Sequence, residues 1–395
     1  MVVIPTKMGL INKQTLIYRL QRMGAASRAE LAKELGLSQP TVGKIANQLL
    51  KQGVIEVVRS AKSFKAEKEE EEPVKIGRPG ILLRLNRKDP RFLCIQLGVD
   101  ETCLAASPIG IDSEDKWQIR VPTTDSAQGW LKQLKAAEQQ LQQKNFWGIL
   151  VSVPGIVDEA SEKVIFSPNL HWTEKVNLPS IIKQVWDAPV VLLQEVRALA
   201  LGHQSLEGEN EDFFMIEFCE GVGGAAVVNG KLYTNRLPIS GEIGHTPIRG
   251  NQRKCGCGAV GCLETLVSTR GLLTSFSEAT GKKSPVWSDL VSHVKAHGIE
   301  PWLDDSLESA AAVIAGAINV MGMRKVVVIG GLVDLGEAVI KTLEQKIIRG
   351  AMWARFGTVQ CIGAPRRRIA GLVWVGIERL VAPVGIMRPA GNSHF

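Results

Sequence analysis

At 395 residues, 45% apolar and 22% charged, the chain has material for two or three domains with sizeable cores and the composition of a soluble globular protein. It carries no uncharged apolar run of about 18 residues or more, and the N-terminal MVVIPTKMGLINKQ has no signal-peptide apolar region, which argues against a membrane span or a secretory address and for a cytoplasmic location. The net charge of +7 is unevenly spread: residues 1–87 carry +8 and the remainder −1, as in a basic nucleic-acid-binding module joined to a neutral body. The cysteines number seven, an odd count with three clustered, which fits metal binding in a reducing compartment better than a disulfide framework. Cys94, Cys103, Cys219 and Cys361 stand in apolar surroundings and read as core residues.

From Leu10 to Met23 the apolar residues Leu10, Ile11, Leu16, Ile17, Leu20 and Met23 recur at helical spacing. Ser27-Arg28-Ala29-Glu30 is a capping box, and Ala29, Leu31, Ala32 and Leu35 carry a short second helix to Gly36. Ser38 caps a third helix that tolerates Pro40 in its first turn and has Val42, Ile45, Ala46, Leu49 and Leu50 as its buried stripe. Two helices joined by a short turn containing glycine form a helix-turn-helix. On the outer face of the third helix, Gln39, Thr41, Lys44 and Gln48 suit base edges and phosphates in a major groove. Gly53–Val58 and Ile81–Leu85 read as the paired strands of a wing, and residues 59–76 between them are too charged to fold alone and are expected to form a mobile wing tip. Arg78, within Gly77-Arg78-Pro79, suits a narrow A·T-rich minor groove.

After Pro90 strands and helices alternate. Phe92–Val99 with Leu104–Ile109 suggests a hairpin, Trp130–Gln143 a helix, Gly148–Val153 and Val190–Leu193 buried strands, and Arg197–Gln204 a helix. Phe213–Phe218, Gly223–Val228 and Lys231–Tyr233 form a second meander, followed by an Ala-rich helix at Leu307–Val320 and a strand at Lys325–Ile329. The pattern predicts an α/β body in two halves that each begin with a strand meander. Domain limits are expected at 1–87 for the winged helix-turn-helix, 88–200 for a first lobe and 201–395 for a second, with the C-terminal segment returning to the first lobe.

The stretch GEIGHTPIRGNQRKCGCGAVGCLET, Gly241 to Thr265, is the densest in chemistry. His245, Cys255, Cys257 and Cys262 offer four borderline-soft ligands, the number that a closed structural zinc site takes, and the glycines at 256, 258 and 261 let three sulfurs converge. Glu242 and Glu264 bracket the set and would be held in fixed positions by a metal there.

These motifs resemble the ROK family of repressors, open reading frames and sugar kinases, and in particular its helix-turn-helix repressor branch. The resemblance rests on the N-terminal helices with GRP, VSVPGIVD at 151–158, SPNLHW at 167–172, EGVGGAAVVNGKLY at 220–233, E-x-G-H at 242–245, C-x-C-G-x-x-G-C-x-E at 255–264 and VVVIGG at 326–331. It implies an actin-like or ribonuclease-H-like two-lobed body with the same zinc ligands, His245, Cys255, Cys257 and Cys262. It also implies a carbohydrate effector between the lobes, met by Glu242, His245, Glu264, Gln194 and Glu195, with Gly155 permitting close approach. Two departures argue against catalysis. Family kinases open with D-x-G-x-T where this chain reads Gln96-Leu97-Gly98-Val99-Asp100, and they carry Asn-Asp, with the Asp as general base, where Gln194-Glu195 stands. A base one methylene longer is displaced from its hydroxyl, and a misplacement of about 1 Å costs roughly 100-fold. The resemblance therefore implies a zinc-containing repressor of double-stranded operator DNA, a homodimer or homotetramer matching paired half-sites, with no catalytic residue. The alternatives are a sugar kinase with an appended DNA-binding domain, or a regulator controlled by a protein partner.

Overall fold

A computed structural model describes residues 5–58, 81–111, 114–207, 211–234 and 239–383. The expected wing tip at 59–76 and Arg78 lie outside these.

The N-terminal module comprises α1 (Pro5–Met23), β1 (Ala26–Ser27), α2 (Arg28–Leu35), α3 (Gln39–Lys51), β2 (Ile55–Val58) and β3 (Leu82–Leu85). The local signals act as the sequence suggests. Ser27 Oγ accepts from the Glu30 amide at 3.2 Å while the Ser27 amide donates to Glu30 Oε2 at 2.7 Å, and Gly36 ends α2 at φ +63°. Ser38 Oγ accepts from the Thr41 amide to start α3. The strands pair antiparallel in the order β1-β3-β2, with Glu56 facing Arg84 across the ladder at 2.7 Å. Leu16, Ile17, Leu20, Leu31, Val42, Ala46, Leu49 and Leu83 have no exposed surface and form the core of this winged helix-turn-helix.

The body repeats one sheet plan twice. The first half contains β4 (Phe92–Leu97), β5 (Glu101–Ser107), β6 (Ile119–Pro122), α4 (Ala127–Gln140), β7 (Gly148–Val153), β8 (Ile156–Asp158), β9 (Lys163–Phe166), α5 (Leu178–Ile182), β10 (Val190–Gln194) and α6 (Glu195–Glu207). The second contains β11 (Phe213–Phe218), β12 (Val222–Val228), β13 (Lys231–Leu232), α7 (Glu264–Val267), α8 (Thr269–Thr280), α9 (Trp287–His297), α10 (Pro301–Met321), β14 (Lys325–Gly330), α11 (Gly331–Asp334), α12 (Glu337–Gly350), β15 (Gln360–Gly363) and α13 (Arg368–Gly376). The sheet orders are β10-β7-β4-β5-β6 and β13-β12-β11-β14-β15: in each, an antiparallel three-strand meander is extended by two parallel strands on the side of its first strand. The strands next to that junction, β7, β11 and β14, are buried along their whole length, as strands covered on both faces must be.

The helices α6 and α13 run between the two sheets. Val196, Leu199 and Ala200 pack on Phe213, Met215, Val327 and Ile329 of the second sheet, while Ala198 and Leu201 join α13 in the core shared with Phe92, Cys94 and Leu150 of the first. That latter core is continuous with Leu16, Ile17 and Leu20 of α1, so the N-terminal module is docked on the body by apolar packing. Elements α8 to α12 cover the outer face of the second sheet, and α4 and α5 that of the first.

The reading of Cys219 as core is corrected here. Cys94, Cys103 and Cys361 are buried, but Cys219 is only half-buried, in the turn that leaves β11 beside charged groups. Among the described residues no helix is long and apolar enough to cross a membrane.

Candidate functional site

On α3, Gln39, Lys44 and Gln48 are exposed and line the outward face. Thr41 is half-buried, and its hydroxyl lies 2.8 Å from that of Ser38, so its first role is in the helix cap. Sequence reading missed Asn47, exposed one position before Gln48, whose Oδ1 accepts from Arg28 Nη2 at 3.0 Å and ties α2 to α3. Its helical register with Lys44 was the available signal.

The knuckle residues His245, Cys255, Cys257 and Cys262 come together with their ligand atoms all within 4.8 Å of one another. Cys257 Sγ and Cys262 Sγ are 3.8 Å apart, and Cys255 Sγ is 3.6 Å from His245 Nδ1. Tetrahedral zinc with ordinary Zn–S and Zn–N bonds requires edges of about 3.8 and 3.6 Å, so the four residues fit such an ion. The backbone is built for this convergence: residue bridges Pro247–Cys262 and Lys254–Val260 pin the loop, and Gly258 and Gly261 take φ values of +92° and +87°. Asn251 Nδ2 donates to Cys262 O at 3.1 Å and to Thr265 Oγ1 at 2.8 Å, fixing the loop to the start of α7.

With Nδ1 turned to the cysteines, His245 presents Nε2 to Glu242 Oε2 at 3.8 Å. The other carboxylate oxygen, Oε1, accepts from Gln194 Nε2 at 3.0 Å, joining the end of β10 to the knuckle lobe. Glu264 Oε2 accepts from the Val222 amide at 3.0 Å, and its Oε1 faces Cys255 Sγ at 3.7 Å. Gln194, Glu242 and His245 thus form one chain of contacts from the end of β10 to the knuckle, with Glu264 against Cys255 on its other side, carboxylates and an imidazole of the type that reads vicinal hydroxyls. Gly155 has φ +92°, and a Cβ there would lie 2.3 Å from the Phe166 carbonyl oxygen, so the close approach it permits is made by the chain's own β9 end.

Glu195 departs from the expected set. Its neighbours are Arg368, whose Nη2 lies 3.9 Å from Oε1, and the Gln96 side chain. Arg368, 2% exposed, also reaches both oxygens of buried Glu217 at 2.9 and 3.0 Å. Glu195 is therefore turned onto an internal guanidinium. Burial, reinforced by Glu217 and opposed by Arg368 and Gln96, pushes the Glu195 carboxyl up to about 7 from an ordinary 4.5. A carboxyl raised in the folded state binds its proton more tightly there than in the unfolded chain, so its contribution to stability is lost as pH rises from 4.5 through about 7. The Glu195→Gln variant is expected to match the wild type in chemical denaturation near pH 5 and to exceed it at pH 8; equal displacement at both pH values would contradict this. Glu220, in the turn that leaves β11, is also held above the usual carboxylate range, by burial first and then by the negative charge of Asp100.

The described architecture is a winged helix-turn-helix docked on a two-lobed actin-like body that carries a His/Cys3 cluster able to hold a metal. The ROK family model matches residues 92–367 and a MarR family model residues 15–63. The chain belongs to the ROK family. It is 29% identical over 280 residues to the xylose repressor of Caldicellulosiruptor bescii, covering 67% of this chain and 65% of that one, so the match spans just under two thirds of that repressor. It is 28% identical over 256 residues to the N-acetylmannosamine kinase of Escherichia coli O1:K1, covering 63% of this chain and 86% of the kinase. Among solved structures, a ROK family transcriptional regulator homologous to the Escherichia coli Mlc protein shares the fold with a TM-score of 0.72 at 19% identity, over 95% of this chain and 98% of that one.

Proposed function

We propose that the chain is a sugar-responsive repressor that binds double-stranded operator DNA through α3, with a zinc ion as structural cofactor and without phosphoryl transfer. The observation that carries the reading is the union, in one packed molecule, of an exposed α3 face with the contact chain Gln194–Glu242–His245 that joins the first half to the knuckle. The xylose repressors among the relatives make a pentose, D-xylose, the first effector to test. Paired operator half-sites would be met by a homodimer or a homotetramer. Zinc would be held by His245, Cys255, Cys257 and Cys262 and would supply a fixed scaffold for Glu242 and Glu264; the chemistry of the cleft is that of hydroxyl recognition by those carboxylates and the His245 Nε2 face.

The test is selection of a duplex from random sequences by the full chain, followed by titration with D-xylose and a panel of other sugars. Sequence-selective retention that changes with one sugar supports the reading; failure to enrich any duplex defeats it. Within that assay Lys44→Ala is expected to weaken binding across all retained sequences and to lower the salt slope by about 1, as loss of one phosphate contact does. An unchanged slope would remove Lys44 from the interface.

Phosphoryl transfer depends on positioning and on stabilising the charge of the moving group. Here Glu195 is held by Gln96 and Arg368, and Glu220 and Asp100 place negative charge where nucleotide phosphates would lie. Incubation with ATP, magnesium and common hexoses, hexosamines and pentoses is expected to release no ADP above a Glu195→Gln control. Sugar-dependent release above that control would favour the kinase alternative.

A further inference from the structure

The buried charged cluster lies at the starts of two helices at once. Glu195 is the first residue of α6 and Arg368 the first of α13. Arg368 joins Glu195 of the first half to Glu217 on β11 of the second, and the amides of Arg368 and Ile369 donate to Asp115 at 2.9 and 2.7 Å. Burial works against the Arg368 charge, but Glu217, Glu195 and Asp115 overcome it and hold the guanidinium more firmly protonated. The two helices cross in intimate contact. A Cβ on Gly371 would lie 1.7 Å from the Ala198 carbonyl oxygen, and one on Gly202 would lie 1.8 Å from that of Arg367, so only glycine fits at either position. Helices packed this closely move as one body, because interdigitated cores switch between discrete arrangements and do not deform continuously.

Through the first half of α6 and the far half of α13, the same helices meet the N-terminal module. The Trp374 ring of α13 packs edge-on against Tyr18 of α1 with centroids 5.3 Å apart, and Lys13 Nζ donates to Val381 O at 2.8 Å, just beyond α13. Gln21 of α1 donates to the Ile111 carbonyl, four residues before Asp115. Leu16, Ile17 and Leu20 share one apolar core with Ala198 and Leu201 of α6 and with Leu372 to Val375 of α13.

We infer that the α6–α13 pair is the element that couples the relation of the two halves to the DNA-binding helices, with Arg368 as the positioning residue that ties the pair to both halves through Glu217 and Glu195. A ligand that changes the relation of the two lobes alters the Glu217–Arg368–Glu195 geometry, and the pair carries that change to α1 as a rigid unit. The inference rests on the reading of the chain as a ligand-controlled DNA-binding protein, and it adds how that control is transmitted.

The experiment uses the full chain and two variants: Glu217→Gln, which removes the anchoring charge at nearly constant volume, and Gly371→Ala, which forces the helices apart. Without sugar, amide hydrogen exchange in α1 is expected to quicken by about tenfold in both variants while α4, remote from the pair, stays as in the wild type. Exchange in α1 that stays within about twofold of wild type in both variants overturns the inference. With D-xylose, its dissociation constant is measured by calorimetry alongside its effect on operator affinity. In Glu217→Gln, sugar binding is expected to stay within about threefold of wild type while the change it makes in operator affinity falls by about tenfold. A variant that keeps both the sugar affinity and the full DNA response also overturns the inference. If the wild type binds none of the sugars, the proposed effector class is what fails, and the exchange experiment alone decides the coupling.

Discussion

The Arg368→Met variant is expected to lose about 3–5 kcal/mol of stability, the usual cost of removing one partner from a buried ion pair. The reason is the charge left behind. Glu217 is 6% exposed, and both of its carboxylate oxygens are occupied by Arg368 Nη2; without the guanidinium it is a desolvated anion with no cation to face. Glu195, already pushed up by burial, loses the attraction that opposes that push and takes up a proton at higher pH still. Replacing both partners together, Arg368→Met with Glu217→Leu, removes the buried charge as well as its partner and is expected to recover most of the loss, since apolar replacements of similar volume are close to neutral. Chemical denaturation followed by far-ultraviolet dichroism measures both. A single variant as stable as the wild type, or a double variant no better than the single, would show that the cluster carries no such burden.

Whether a feature was legible in the sequence followed the distance along the chain between the groups that make it. The caps at Ser27 and Ser38 join residues three apart, so α2 and α3 could be placed from local spacing. The metal cluster was legible for the same reason, its ligands falling between residues 245 and 262. The two meanders were visible because β4 and β11 are dense in Phe, Leu, Ile and Met. By contrast, Arg366-Arg367-Arg368 looks like a solvated basic run. Nothing local says that Arg368 is buried, because Glu217 is 151 residues away and Asp115 is 253. Glu195 was singled out as a displaced base, but its turn toward Gln96 and Arg368 depends on the packing of α6 against α13, which no local pattern encodes. Cys219 read as apolar from its Phe218 neighbour, yet it follows β11 into a turn beside Glu217. Strand β15 escaped notice because it lies at a sheet edge with only Cys361 buried, leaving no alternation to detect.

Metal removal is expected to produce the largest single change. Elemental analysis of the purified chain should find about one zinc per molecule, because four soft ligand atoms at tetrahedral separations leave no open position for another role. Structural zinc contributes about 10–16 kcal/mol of apparent binding energy in isolated zinc peptides, and in a site formed only on folding that energy is folding energy. Here its loss falls first on the segment from His245 to Cys262, whose remaining internal ties include two residue bridges and the Asn251 hydrogen bonds. Three like-sized sulfur ligands without a cation have no reason to stay within 4.8 Å. Glu242 and Glu264 then lose their fixed spacing, since one is three residues before His245 and the other two after Cys262. Chelation, or the substitution Cys262→Ser, should therefore abolish the carbohydrate binding proposed above and open residues 246–263 to hydrogen exchange, while α1 to α3, whose core is shared with α6 and α13 and not with the knuckle, stay protected. Protection that persists across 246–263 in metal-free protein would mean that hydrogen bonding alone holds the knuckle, and that the four ligand residues serve some purpose other than structural zinc.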